Sequence, residues 1–302
     1  MTITNPRHAP VLLNAALTFL RVRPGSTVVD CTLGLGGHAS RIARLLGAEG
    51  HLIGFEWDSI ALAMAKDKLD EVSRELGSQA PRVTLIGDAF SSITKHLLPA
   101  SVDGLIADFG VNSTHLDDAA RGFSFQADGP LDMRMNSRSG LTAAQVVNEA
   151  DESELADLIY KYGEERRSRR LARAIVRGRP VTTTLMLARI ITSAAPAINY
   201  EHIHPATRTF QALRIYVNRE LDEIQALMEA APKLLKPSAR LVVISFHSLE
   251  DRIAKDSLRD GARNGIWEIL TKKPVTAGVD ELERNPRSRS AKLRAAERSA
   301  SR

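Results

Sequence analysis

TVVDCTLGLGGHASRIARLLGAEGHLIGFE, residues 27–56, holds two strand signals, a glycine turn and a helix signal in sequence. TVVDCT (27–32) is a short apolar run of strand length. The turn Gly34-Leu35-Gly36-Gly37 follows it, and a helix is expected from about His38 to Leu46. HLIGFE (51–56) is the second strand. Working outward, Ser59–Leu76 carries Leu62, Ala65, Leu69 and Val72 at helical spacing, and RVTLIGD (82–88) and VDGLIAD (102–108) read as strands three and four. Strands alternating with helices imply a parallel sheet with right-handed crossovers.

The rhythm breaks after Asp108. Residues 109–140 are rich in Gly, Asp, Ser and Asn and read as loop, and 142–195 show helical patterns without a convincing strand. Thr142 with Gln145 fits a capping box, and Ser153 before Leu155, Leu158 and Ile159 reads as a second cap. One long helix is expected from Thr207 to Leu235. RLVVISF (240–246) restores the strand pattern and WEILTKK (267–273) reads as the last strand. The expected organisation is an α/β domain of residues 1–116 and 205–302, interrupted by an all-helical insertion of 117–204.

Cys31 is the only cysteine, which excludes an internal disulfide and favours a reducing compartment. The N-terminus shows no secretory signal pattern, and no run of eighteen apolar residues offers a membrane span. A cytoplasmic location is expected. The net charge of +5 is unevenly spread. Arg166, Arg167, Arg169, Arg170, Arg173, Arg177 and Arg179 lie within fourteen residues. Arg284, Arg287, Arg289, Lys292, Arg294, Arg298 and Arg302 crowd the C-terminus against Glu297 alone. Clustered guanidinium groups suit phosphate oxygens and gain affinity by counterion release. A solvated helix face and a basic tail is the plainer account of each cluster. Both together, beside a cofactor motif, favour RNA.

The ends of the first four strands carry the chemistry. Gly34, Gly36 and Gly37 let the backbone approach a ligand at a helix N-terminus. Glu56 stands where an acid accepts from ribose hydroxyls. Asp88 and Phe90 offer a carboxylate and a ring to an adenine, and Asp108 stands where a reacting group would lie. The alternative is that Asp88 and Asp108 cap helices. A nicotinamide cofactor uses the same topology, but GLGGH is not G-x-G-x-x-G and no catalytic pair for hydride transfer follows. S-adenosyl-L-methionine is the expected cofactor.

Longer motifs are more specific. DFGVNSTHLDDAARGFSFQADGPLDMRM (108–135), YGEERRSRRLARAIV (162–176), HPATRTFQALRIYVNREL (204–221), SFHSLEDRI (245–253) and NPRSRSAKLR (285–294) run through the chain, with HAPVLL (8–13) and GLGGHAS (34–40) before them. In that order they resemble the bacterial 16S ribosomal RNA (cytosine-N(4))-methyltransferase family, RsmH or MraW. The resemblance implies a class I Rossmann-like methyltransferase sheet with an inserted helical substrate domain. It implies methyl transfer to the exocyclic amine of a cytidine in the decoding centre of the small ribosomal subunit. It places Gly36, Gly37, His38, Glu56, Phe90, Asp108 and His115 on cofactor-contacting positions.

Three departures stand out. Glu56 replaces the usual Asp. Asn112-Ser113-Thr114-His115 replaces Ser-Ser-Pro-Gln. Pro237-Ser238-Ala239 replaces Pro-Gly-Gly. Asp108, with Asn112 in the following loop, is the candidate catalytic acceptor. Arg166, Arg167, Arg169, Arg170, Arg208, Arg287 and Arg289 are the candidate RNA contacts, the partner being 16S rRNA within the small subunit. Phe123 and Phe125 either stack on a base or anchor their loop. His247 and Ser248 are further candidates for RNA or loop contact; no metal site is expected. The oligomeric state is open, a homodimer being one option. The competing function is a non-catalytic RNA-binding assembly factor that retains the fold.

Overall fold

A computed structural model describes residues 10–137, 140–196 and 203–300; His8 of the N-terminal motif and Arg302 of the basic tail lie outside them. Seven strands form one sheet: β1 (Thr27–Asp30), β2 (His51–Phe55), β3 (Arg82–Ile86), β4 (Val102–Asp108), β5 (Leu235–Ser245), β6 (Trp267–Ile269) and β7 (Lys292–Arg298). Their order is β3-β2-β1-β4-β5-β7-β6. The first five pair in parallel, and β7 runs antiparallel to both β5 and β6. This is the Rossmann-like sheet that the family resemblance implied.

The helices in chain order are α1 (Leu13–Leu20), α2 (Gly37–Leu46), α3 (Ser59–Leu76), α4 (Ile93–His96), α5 (Ser113–Asp117), α6 (Ala143–Glu149), α7 (Glu152–Gly163), α8 (Ser168–Arg177), α9 (Thr184–Ala194), α10 (Thr207–Asn218), α11 (Glu220–Leu234), α12 (Ser248–Arg263) and α13 (Val279–Arg284). None is long and apolar enough to cross a membrane among the described residues. The chain divides into two units, residues 1–110 with 221–302, and residues 111–220.

In the first unit, apolar side chains cover both faces of the sheet. Val29, Ile53, Leu105 and Val243 pack on one face with Leu227 and Leu234 of α11. Val28, Leu52, Ile106 and Val242 pack on the other with Ile42 and Leu46 of α2 and Ala65 and Leu69 of α3. Burial on both faces is why the inner strands read as continuous apolar runs rather than alternating ones. Asp58 caps α3 by accepting from the Ile60 and Ala61 N–H groups, which fixes where β2 hands over to the helix.

The second unit is built from α5 to α10. The capping box at Thr142–Gln145 is present. The second one is formed by Asp151 with Glu154, and Ser153 lies inside α7. Asp151 starts the helix two residues earlier because its carboxylate serves the same end as a serine hydroxyl.

Other expectations are corrected. The long helix predicted for 207–235 is two, broken at Arg219, which adopts φ 51. Asn218 ends α10: buried, it donates to the Met133 and Arg214 carbonyls and accepts from the Met135 N–H. Such side-chain bonding to backbone competes with helix continuation. The unit boundary coincides with this break. The second unit therefore includes α10 and spans 111–220, wider than the 117–204 read from sequence. Helix α1 and strand β7 were not expected. The stretch 292–298, read as basic tail, is β7, and within it Arg294 is buried against Asp251, its Nε 2.7 Å from Oδ1.

Candidate active site

The sheet order reverses between β1 and β4: β2 flanks β1 on one side and β4 flanks it on the other. Ligands of open α/β sheets bind outside the carboxyl ends of the strands at such a switch point. Asp30 ends β1 and Asp108 ends β4, one on each side of it.

The glycine turn is shaped by two constraints. Gly36 adopts φ 74 as the residue before α2, a conformation that side chains rarely tolerate. Gly37 lies against the Pro10 ring, where an added Cβ would sit 2.9 Å from Cγ. His38, in the first turn of α2, is buried; its Nε2 lies 3.0 Å from the Val11 carbonyl and its Nδ1 3.7 Å from Asp108 Oδ2. Burial lowers its pKa to about 4, so the imidazole is neutral near pH 7. A neutral ring that donates to Val11 presents its other nitrogen toward Asp108 as an acceptor.

Glu56 uses its extra methylene. Oε2 accepts from the Gly34 N–H and Oε1 from the Asp58 N–H, both at 2.9 Å, so one side chain ties the glycine turn to the cap of α3. Each oxygen keeps a second lone pair for a ribose hydroxyl. Burial raises its pKa to about 7, against those two hydrogen bonds.

Asp108 is the least compensated acid. Its side chain is 23% exposed, yet Oδ1 is shielded from solvent and has no hydrogen-bond partner. Burial holds its pKa well above the usual carboxylate range, and the charges of Asp30 and Glu250 add to that. It caps no helix; Asn112 fills that role for α5, accepting from the His115 N–H at 3.1 Å and the Thr114 hydroxyl at 2.7 Å. Asp88 is a different case. It accepts from the Ala89 N–H, the Ser92 hydroxyl and His96 Nε2, and these bonds hold its pKa down. Neither acid caps a helix: Asp88 is tied up by its local hydrogen bonds, and Asp108 is not. Phe90, two residues on, sets its half-buried ring 6.3 Å from Phe109.

Sequence reading missed Asp30. It is 2% exposed; Oδ1 accepts from the Thr32 N–H at 3.1 Å and Oδ2 is buried without a partner. Burial raises its pKa to about 7. The signal was present, an acid at the carboxyl end of a parallel strand, the same rule that selects Glu56 and Asp108. Orphaned anionic oxygens at Asp30 and Asp108 suit a ligand carrying positive charge, which fits a sulfonium and an α-ammonium.

His247 and Glu250 form the capping box of α12, and Asp251 is taken by Arg294 and Lys292. These assignments explain the conspicuous SFHSLEDRI motif largely as architecture. Arg287 and Arg289 are exposed on the turn before β7, whereas Arg298 donates to the Pro232 and Ile266 carbonyls.

In the second unit, His115 is buried and stacks on Phe123 at 4.9 Å. Phe125 packs between His204 at 4.6 Å and Phe210 at 4.8 Å. Both phenylalanines thus anchor their loop. Of the candidate RNA contacts, Arg166, Arg169 and Arg170 are exposed. Arg167 is held by the buried Glu165, through Nε at 3.1 Å, and Arg208 lies 4.0 Å from the same carboxylate. Arg179 donates to the Val147 and Ala150 carbonyls, and Arg173 reaches Glu152. The basic stretch is thus part scaffold, part solvent-facing surface.

Residues 5–299 match the MraW methylase family. The chain is 65% identical over 292 residues to a ribosomal RNA small subunit methyltransferase H of Acidobacterium capsulatum, covering 97% of this chain and 98% of that one. It is 58% identical over 293 residues to the protein of the same name from Koribacter versatilis, covering 96% and 94%. The crystal structure of a putative rRNA-methylase from Clostridium thermocellum aligns over the full length of both chains with a TM-score of 0.49 and 14% identity. On the match across nearly its whole length, the chain belongs to the MraW methylase family.

Proposed function

We propose that this protein transfers the methyl group of S-adenosylmethionine to the exocyclic N4 amine of a cytidine in the decoding centre of 16S rRNA, acting on the small ribosomal subunit in the cytoplasm. The cofactor follows from membership of a methylase family. When bound, S-adenosylmethionine supplies a methyl carbon made electrophilic by its sulfonium. The remaining roles belong to the chain's own residues. The observation that carries the reading is the orphaned Asp108 Oδ1 at the switch point.

A cytosine amine is a poor nucleophile, because its lone pair is delocalised into the ring. A buried carboxylate that accepts its N–H hydrogens orients it and stabilises the positive charge that grows on nitrogen. Desolvation suits Asp108 to this role, because the same burial that raises its pKa raises its affinity for the departing proton. His38 Nδ1 leaves the Asp108 anion uncompensated, since the ring is neutral. Glu56 holds the ribose, Gly34, Gly36 and Gly37 admit the ligand's backbone-facing edge, and Phe90 offers a face to the adenine. Arg166, Arg169 and Arg170, with Arg287 and Arg289, contact phosphates. Asn112 and His115 follow Asp108 by four and seven residues and are proposed to shape the loop on which the base is received. The target must leave any base stack to reach a carboxylate at a strand end.

The test is nucleoside mass spectrometry of 16S rRNA after incubation of unmethylated small subunits with the protein and S-adenosylmethionine. N4-methylcytidine at one decoding-centre position is expected. Cofactor binding without any new methylated nucleoside would instead identify a non-catalytic assembly factor.

A further inference from the structure

The three acids at the carboxyl edge are arranged as a set. Asp30 is in register with Gly54 of β2 and with Ile106 of β4. Glu56 and Asp108 each lie two residues beyond those partners. Side chains in a strand alternate between faces, so all three project to one side of the sheet, on adjacent strands about 4.8 Å apart. That side is the α2 face, where Val28, Leu52 and Ile106 pack. Asp30 occupies the middle, and its charge acts on both flanking acids.

The groups around the set bring no positive charge. From α2 comes His38, neutral by burial. From the cap of α3 comes Asp58, whose charge bears on Glu56. From α12 comes the fully buried Glu250, whose charge bears on Asp108. Cys31, beside Asp30, has its thiol pushed up by burial and by that neighbour. No lysine or arginine among the described residues pairs with Asp30, Glu56 or Asp108. Three carboxylates staggered along adjacent strands, mostly desolvated and without a cation, each make ionisation of a neighbour more costly, which favours protonated forms.

We propose that the acids of the Asp30, Glu56 and Asp108 set carry bound protons in the free protein, and that the positive charge of S-adenosylmethionine displaces a proton to solvent when it binds. Asp30 is the positioning residue at the centre of this exchange. The inference rests on the methyl-donor reading of the sheet edge. S-adenosylhomocysteine, the product, has lost the sulfonium charge and retains only the ammonium and carboxylate. It displaces fewer protons. Turnover therefore lets the acids regain a proton as the product leaves, and the site discriminates donor from product by charge.

The test is isothermal titration calorimetry of the full chain at pH 6.5 in buffers of different ionisation enthalpy. At that pH the ligand α-ammonium, with a pKa of about 7.8 when unperturbed, is already protonated and adds little of its own. The dependence of heat on buffer counts protons released. About one proton is expected with S-adenosylmethionine and about half that or less with S-adenosylhomocysteine, and donor affinity should tighten by up to about tenfold per unit as pH rises toward 7. Asp30→Asn should at least halve the release while thermal unfolding stays cooperative, and Glu56→Gln gives a second, independent reduction. A buffer-independent heat, or equal release with both ligands, would overturn the exchange while leaving the cofactor reading intact. Absence of binding by either ligand would overturn both.

Discussion

Asp30, at the end of β1, is 2% exposed and has an oxygen that meets no donor, while Arg166, Arg169 and Arg170, around the start of α8, stand in solvent. The two regions present opposite charge by opposite means. At the sheet edge the protein concentrates acids where water is excluded, which makes each one costly and each interaction with a cation strong. On α8 it spreads arginines in water, where each pair is weak and salt-screened, and affinity comes from number. The first arrangement suits a small cation that must be seated at one point. The second suits a long polyanion that needs many loose contacts. Unit two also contains an exception that clarifies the rule: Glu165, itself 2% exposed, holds Arg167 and leaves Arg208 about one contact distance away. Some of the basic stretch is therefore fixed to keep the rest displayed.

The contrast can be broken most severely at Asp108. Asp108→Ala should lower methyl transfer by about a thousandfold or more, with thermal unfolding little changed, in a single-turnover assay with radiolabelled donor. Retained turnover would remove Asp108 from the chemistry. Replacing Arg166, Arg169 and Arg170 together by Ala should leave donor affinity unchanged and reduce the slope of log affinity for RNA against log salt by about two to three. A fall in donor affinity, or an unaltered slope, would blur the distinction between the regions. A smaller effect concerns pH. Asp30 and Glu56, with folded-state pKa values of about 7, bind protons that the unfolded chain releases near 4. The native state binds more protons between those values, so stability should fall as pH rises toward 7 and level off beyond it. His38, lowered from 6.5 to about 4, works the other way below pH 6.5. In thermal melts from pH 6.5 to 7.5 the His38 contribution fades while that of the acids persists, and Asp30→Asn should flatten the curve.

The smallest expected effect lies away from both regions. Ser238 occupies a left-handed conformation, φ 63, at the irregular start of β5 where the family has glycine. Ser238→Gly should stabilise the protein by about 0.5–1 kcal/mol in denaturant unfolding, and should leave donor affinity and the salt slope untouched.

Much of the first unit was readable from the chain because its strands are buried on both faces and each is followed by turn or cap residues. Asp58 ahead of α3 and Gly36 ahead of α2 are local signals that survive folding unchanged. Strand β7 was not readable. Its positions 292–298 carry Lys292, Arg294, Glu297 and Arg298, and the pairing of Arg294 with Asp251 that makes burial possible is forty-three residues distant in sequence. The break at Arg219 was equally hidden, since no Gly or Pro marks it and the cause is Asn218 reaching Met133 and Met135. Among site residues, Glu56 and Asp108 were legible as strand-end acids. The roles of Asn112 as a cap and of Asp88 as a local acceptor depend on hydrogen bonds that residue type alone does not specify. Asp30 was hidden because TVVDCT reads as an uninterrupted buried strand, and the glycines after it carry the stronger local signal.

Everything at the sheet edge turns on a cationic methyl donor being seated at the carboxyl ends of β1, β2 and β4. A crystal structure of the protein grown with S-adenosylmethionine would locate it. The sulfonium is expected beside Asp30 and Asp108, with the ribose hydroxyls on Glu56. A donor bound on another part of the sheet, or one whose positive groups face away from these acids, would contradict that seating.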